Sequence, residues 1–346
     1  MRFLKGAKQQ MSQSISALPV RAKVKDTSTT YYGVPIIWEI GDKNHAGYPA
    51  NSVTLVAANI LKLACFDAKE SGNGDSSRRN YGNNRYSLSN LRQWLNKSGS
   101  PWYQAQHGAD AAPTNANVWD GYNEYDDEAG FLTGFSAQML AAILNTTLTV
   151  AKASVDGGGS ETVTDKVFLL SKAEVGLGAE NGVSEGSTLA MFSDNSSRQC
   201  RPTAQAVSNS EYTNSSLSAS QPWWYWLRSP NASYSDSVRL VGSDGSLGGD
   251  IACVGTRGVR PALYLKSDIS VSLDGNDEST IEVSEEELYK AAVQKFGERA
   301  QILVAIEEMS ELLDHEVDDE YVKQIARKSL GYHMPDEVIY YNDLKK

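Results

Sequence analysis

The sequence predicts an α+β fold: a mixed body with two core helices and long loops, followed by a small helical C-terminal appendage. Two strand-like runs, two capped amphipathic segments and an abrupt change of charge near residue 275 carry that prediction. At 346 residues the chain exceeds one small domain, so more than one unit is expected. The predicted divisions are a polar N-terminal segment (1–29), a ligand-binding body (30–275) and an acidic, mainly helical region (276–346).

The first 29 residues are polar and aperiodic. From Tyr31 to Asp42, YYGVPIIWEIGD clusters β-branched and aromatic residues as a strand does. In YSLSNLRQWLNK, Ser87 or Ser89 caps a helix whose buried face holds Leu88, Leu91, Trp94 and Leu95, and Gly99 and Pro101 end it. An Asn-, Asp- and Gly-rich excursion, 108–130, separates it from FSAQMLAAILN, where Ser136 caps a helix burying Met139, Leu140, Ile143 and Leu144. DGGGSE (156–161) is a surface turn leading to the strand VFLL (167–170). Residues 193–220 are again Ser-, Asn- and Thr-rich, and long polar loops on such a scaffold are where binding resides. In the tail, Ser284 and Glu287 form a capping box, and apolar periodicity from Val293 to Leu313 predicts a long helix. A shorter helix, 320–330, and a strand, 338–341, follow.

The formal charge is −11, and residues 276–346 hold 18 of the 43 acidic residues but 8 of the 32 basic ones. The body is therefore close to neutral and the tail carries nearly all the net charge. No basic stripe is available to neutralise phosphates, so nucleic acid is not an expected partner. No apolar run is long enough to span a bilayer, and the N-terminus lacks the apolar centre of a signal peptide. Cys65, Cys200 and Cys253 are odd in number and widely spaced, which argues against a disulfide framework or structural zinc. Asp110, Asp120, Asp126 and Asp127 in the 108–130 excursion are the residues that could hold a cation, though solvated turn positions are the simpler reading. No cofactor or metal is predicted.

The informative stretch is residues 221–265, QPWWYWLRSPNASYSDSVRLVGSDGSLGGDIACVGTRGVRPALYL. With SLSNLRQWLN, GFLTGFSAQMLAAIL and DKVFLLSKAEV before it, the pair WLRSP and GVRPALYL resembles an uncharacterised bacterial and phage domain family. That resemblance covers about residues 30–275. Its closing half is similar to the formylglycine-generating-enzyme branch of the C-type lectin fold, with Trp226, Arg228, Gly258 and Arg260 in the structural motif positions. Strand alternation through Trp223, Trp224, Tyr225 and Trp226 predicts two rings in the core and two at the surface. Arg228 and Arg260 are expected to act as forked donors to loop backbone.

Between the motifs, residues 231–257 contain no Lys, Gln, Glu, Met or Trp. Those five types are the ones that codons ending in a pyrimidine cannot encode. The chain here resembles the variable proteins of diversity-generating retroelements, which use a C-type lectin fold with a diversified Ser-, Tyr- and Asn-rich face. That resemblance implies a receptor-recognition protein of a phage or prophage, located in the virion or in the bacterial cytoplasm before assembly. Trp224, Asn231, Tyr234, Asp236, Arg239, Asp244, Asp250 and Thr256 are its expected ligand-binding residues. Tyr, Ser, Asn and Gly also suit adaptable binding loops. The expected ligand is a surface protein or glycan. In those variable proteins the diversified segment usually closes the chain, whereas here about seventy residues follow it.

Enzymatic readings have less support. Formylglycine-generating chemistry needs paired cysteines where this chain has Cys253 alone, and no G-x-S-x-G, HExxH or P-loop occurs. Calcium-binding lectin signatures are missing as well. The tail AVQKFGERAQILVAIEEMSELL resembles the first helix of MazG-type pyrophosphohydrolases, in which Glu307, Glu308 and Glu311 would bind magnesium, and DEYVKQIARKSLGYHMPDEVIYYN resembles septum-initiator-type segments. A magnesium-dependent nucleotide hydrolase and a purely structural scaffold are thus the alternatives to a non-enzymatic binding protein. Residues 284–330 are expected to serve in docking or oligomerisation.

Overall fold

The computed structural model describes residues 12–273 and 278–282, which form a mixed α+β structure that is mostly sheet with a few short helices. The chain opens with β1 (Ser12–Ser14), β2 (Lys23–Lys25), β3 (Thr30–Tyr31), β4 (Val34–Pro35), β5 (Trp38–Lys43), β6 (Ser52–Ala57) and β7 (Lys62–Leu63). Helices α1 (Ser76–Tyr81), α2 (Asn90–Leu95) and α3 (Ala137–Ala142) follow, then β8 (Thr146–Ala151), β9 (Ser160–Asp165) and β10 (Val167–Leu169). After α4 (Asn195–Arg198) and α5 (Ala204–Ser208) come β11 (Tyr225–Pro230), β12 (Ser237–Val241), β13 (Leu247–Ile251), β14 (Gly258–Val259), β15 (Pro261–Lys266), β16 (Ser270–Leu273) and β17 (Glu278–Glu282).

An eight-stranded sheet runs β1-β16-β17-β2-β5-β6-β15-β10, and a five-stranded sheet runs β13-β12-β11-β14-β7. Each of the hairpins β3-β4 and β8-β9 stands as its own small sheet. At the centre of the larger sheet, β6 is buried at all six positions and pairs antiparallel with β15 from Ser52↔Lys266 to Val56↔Ala262. Its SVTLVA sequence, apolar on both faces, suits a strand covered on both sides. The register between β5 and β6 slips between Ile40 and Asp42, where a Cβ on Gly41 would lie 3.0 Å from Val56 Cγ2. Beneath α2, Trp102 stacks on Tyr125 with ring centroids 5.3 Å apart, and its indole N–H donates to the Tyr125 carbonyl at 2.9 Å.

The strand expected over Tyr31–Asp42 is three pieces. Tyr32 and Gly33 take φ of 49° and 76° and turn the chain between β3 and β4. Both helices start where their caps predicted: Ser89 Oγ accepts from the Arg92 N–H and Ser136 Oγ from the Met139 N–H. Gly157, Gly158 and Gly159, all at positive φ, form the turn before β9. The N-terminal polar stretch supplies β1 and β2. At the other end β17 pairs antiparallel with β16 and parallel with β2, carrying the sheet past residue 275. Contacts divide the chain after Ser284. The tail expectations, with the capping box, the helices, the 338–341 strand and Glu307, Glu308 and Glu311, lie outside the described residues.

Candidate ligand-binding face

Strand β11 organises the second sheet. It lies antiparallel to β12 and parallel to β14, where Tyr225 faces Gly258. A Cβ at Gly258 would come within 2.6 Å of Ile60 and 2.9 Å of the Trp224 carbonyl, so the motif glycine is required by close approach. Three of the four consecutive aromatics are buried, not two. Trp223 precedes the strand and donates its indole N–H to the Thr256 carbonyl at 2.9 Å, while Trp226 donates to Ala64 at 2.9 Å and Tyr225 to Arg198 at 2.9 Å. Trp224 alone is half-buried.

Arg228, fully buried, donates to both oxygens of Glu174 (2.5 and 3.1 Å), to the carbonyls of Leu169 (2.9 Å) and Glu185 (2.6 Å), and to the Tyr48 hydroxyl (3.2 Å). Burial alone would lower its pKa, but Glu174, Tyr48 and Glu185 hold it well above the usual value. Arg260 donates Nε to the Ala57 carbonyl at 2.9 Å and lies over the Tyr225 ring at 5.3 Å. Both motif arginines therefore brace backbone from inside the protein.

The expected contact residues from 231 to 257 fall in four places. In the 231–237 turn, Asn231 is partly buried, Tyr234 is 60% exposed and Asp236 is 8% exposed, its carboxyl pushed up by burial. Arg239 on β12 is held by a bidentate pair to Glu180, both contacts at 2.9 Å. At the tip between β12 and β13, Asp244 is exposed and accepts from the Ser246 N–H and hydroxyl, which lower its pKa. In the 250–257 segment, Asp250 accepts from Arg257 Nε at 2.8 Å, and the Arg257 guanidinium sits 4.9 Å above the Trp224 ring. Thr256 is 7% exposed. Asp236 and Thr256 are thus nearly covered, and its ion pair restrains Arg239.

Residues 51–267 match the family model described as a domain of unknown function, DUF6273. The chain belongs to this DUF6273 family. No curated protein matches the chain, and no solved structure does. The DUF6273 region runs from β6 to β15 and contains the whole five-stranded sheet, whereas β1, β2, β5, β16 and β17 widen the larger sheet from outside it.

The DUF6273 region also brings together groups that sequence reasoning missed. Glu174 and Glu185 arrive from 171–189 to meet Arg228, and Ser229 Oγ donates to the Glu185 carboxylate. Beside them Tyr48, Glu185, Thr147 and Thr149 help line a polar cavity of about 230 Å³. Asp110 was a cation candidate together with Asp120, Asp126 and Asp127. It instead accepts from Asn90, whose N–H donates to buried Asp67. Among the described residues no group of three or more His, Cys, Asp or Glu has a geometry that could hold a metal ion. All three cysteines are free and buried, and burial pushes the Cys253 thiol up to about 12, which disfavours the reactive thiolate. Among the described residues no helix is long and apolar enough to cross a membrane.

Proposed function

We propose that the chain is a non-enzymatic ligand-binding protein on a C-type-lectin-like scaffold, a phage or prophage receptor-recognition module whose 231–257 segment contacts a surface protein or glycan. What supports the reading is how the 231–237 turn is held. The buried Asn84 amide donates to the carbonyls of Asn231 (3.3 Å), Tyr234 (2.7 Å) and Ser237 (2.9 Å), and its backbone N–H to that of Ser235 (3.2 Å). Arg78 Nε donates to the Ser235 carbonyl at 3.1 Å. Every one of these anchors grips main chain, so the side chains at Ser233 and Tyr234 are free to change without loosening the turn. A scaffold that holds backbone and leaves side chains unconstrained is what a diversified contact surface requires.

The gene is sequenced deeply from its source population. Substitutions at the exposed codons of 231–257, all of the pyrimidine-ending kind, are expected, with Asp236 and Thr256 constant. A flat profile removes the retroelement. Separately, Ser233, Tyr234 and Asp244 are replaced together by alanine and adsorption to cells of that population is measured. Unchanged adsorption would leave a structural scaffold instead.

A further inference from the structure

Two exposed aromatic rings outside the 231–257 segment stand side by side. Tyr81, at the end of α1, is 37% exposed, and Trp119, in the 108–130 excursion, is 41% exposed. Their centroids are 6.3 Å apart with planes 33° from parallel. Both are tied to one residue: the Trp119 N–H donates to the Cys253 carbonyl and the Cys253 N–H to the Tyr81 carbonyl, each at 2.9 Å.

The backbone presenting Trp119 is tightly held. Asp120 and Asn123 adopt φ of 52° and 59° in the left-handed region, which Asp and Asn enter more readily than other side-chain-bearing residues. Here Asn115 Nδ2 donates to the Gly121 carbonyl at 3.2 Å and Asn123 Nδ2 to that of Gly255 at 2.7 Å, while Asn123 and Glu211 exchange two hydrogen bonds of 2.9 Å. Lys69, itself held on the Val118 carbonyl at 3.1 Å, lies 5.6 Å from the Trp119 ring. These bonds fix the Trp119 ring in place with 41% of the residue exposed.

We propose that Tyr81 and Trp119 form a stacking platform for a neutral glycan, a β-linked pyranose chain with equatorial substituents. Such rings present flat C–H faces to an aromatic surface, and their hydroxyls pair with short polar side chains of the kind exposed here at Asn80, Asn115 and Asp120. A neutral ligand is favoured over nucleic acid, because the Lys69 ammonium against the Trp119 ring is offset by neighbouring Asp120 and the body offers no basic track for phosphates. The platform's side chains lie outside 231–257, so the inference does not rest on that segment being variable.

The full chain is titrated with cellohexaose and with chitohexaose, following tryptophan fluorescence and heat. Binding of at least one in the millimolar range or tighter is expected. Trp119→Ala should weaken it about tenfold, Tyr81→Ala severalfold, and Trp119→Phe should restore most of the affinity. Val34→Ala, at an exposed position on β4 outside both this platform and the 231–257 segment, should leave it unchanged. If Trp119→Ala does not fold, Tyr81→Ala and Trp119→Phe carry the comparison. Failure of both oligosaccharides to bind overturns the proposal, as does binding that survives loss of either ring. Salt-sensitive binding of oligothymidylate at the same rings, with neither sugar bound, assigns the platform to single-stranded nucleic acid instead and also overturns it.

Discussion

Removing Glu174 isolates the most deeply buried cation among the described residues. Both side chains of the Arg228–Glu174 pair are at 0% exposure. Glu174→Ala leaves the guanidinium with two carbonyls and the Tyr48 hydroxyl but no full countercharge in direct contact, and it strips the Ser171 N–H of its acceptor at 2.8 Å. Breaking a buried pair from one side costs about 3–5 kcal/mol. For a unit of this size that corresponds to a fall in Tm of about 6–20 °C. Arg228→Met with Glu174→Ala removes both charges. It still orphans the Leu169 and Glu185 carbonyls, at about 1–3 kcal/mol for each unsatisfied group. The double variant should therefore cost less than the two single variants together, with a coupling of about 2 kcal/mol or more. Urea unfolding of the four proteins measures this cycle. A single-variant cost below about 1 kcal/mol, or strict additivity, would refute the view that Arg228 depends on Glu174 for its charge balance.

Glu185 behaves oppositely. Burial outweighs Arg228 and the bonds from Ser229 and Ala151 and raises its pKa, so ionisation disfavours the folded state. Glu185→Gln should then be tolerated at neutral pH, and its stability relative to wild type should improve as pH rises past about 4.3, the unfolded value; denaturation at pH 4 and 7 checks the sign. Burial would also raise Glu180, but Arg239, the Ala232 N–H and Lys172 hold it below the ordinary range. Its contribution is complete above the unfolded pKa and disappears as pH falls through the lower folded one. The stability gap between wild type and Arg239→Ala should accordingly narrow on acidification below about pH 4, and a gap that widens contradicts the ion pair. Gly255→Ala would place a Cβ 1.8 Å from the Tyr122 carbonyl. A loss of about 1–3 kcal/mol is expected, with Trp119 fluorescence altered because Gly255 and the Trp119 loop share the Asn123 bond.

Local signals in the sequence were sufficient for the elements that end in a cap. Ser89 and Ser136 start their helices because one hydroxyl satisfies one backbone donor a turn away. Strands β1 (SQS), β2 (KVK) and β17 (ESTIE) were missed for the opposite reason. They are short and polar, and their pairing joins residues near 24 to residues near 279, a relation no local pattern contains. The candidate site divides the same way. WLRSP marked Arg228 as a forked donor, but its countercharge, Glu174, lies 54 positions away in DKVFLLSKAEV, where no local pattern pairs the two. The outward pair Tyr81 and Trp119 was illegible because one ends α1, the other lies in the 108–130 excursion, and they meet through a third segment, at Cys253.

The compositional gap across 231–257 has two origins that the structure separates. Ala252, Cys253 and Thr256 are buried, and a Cβ at Gly245 or Gly255 would strike a carbonyl oxygen at 1.8 Å. Packing by itself excludes Lys, Gln, Glu, Met and Trp from those positions, so their absence there carries no information about codons. Exposed Ser233, Tyr234 and Asp244 face no such restriction, and long polar side chains are common on surfaces of this kind. Any bias from diversification must therefore be read at the exposed positions, with the buried ones serving as an internal control. Variation that reached Asp236 or Thr256 as freely as Tyr234 would conflict with the packing itself, because large replacements there would have to enter a filled interior.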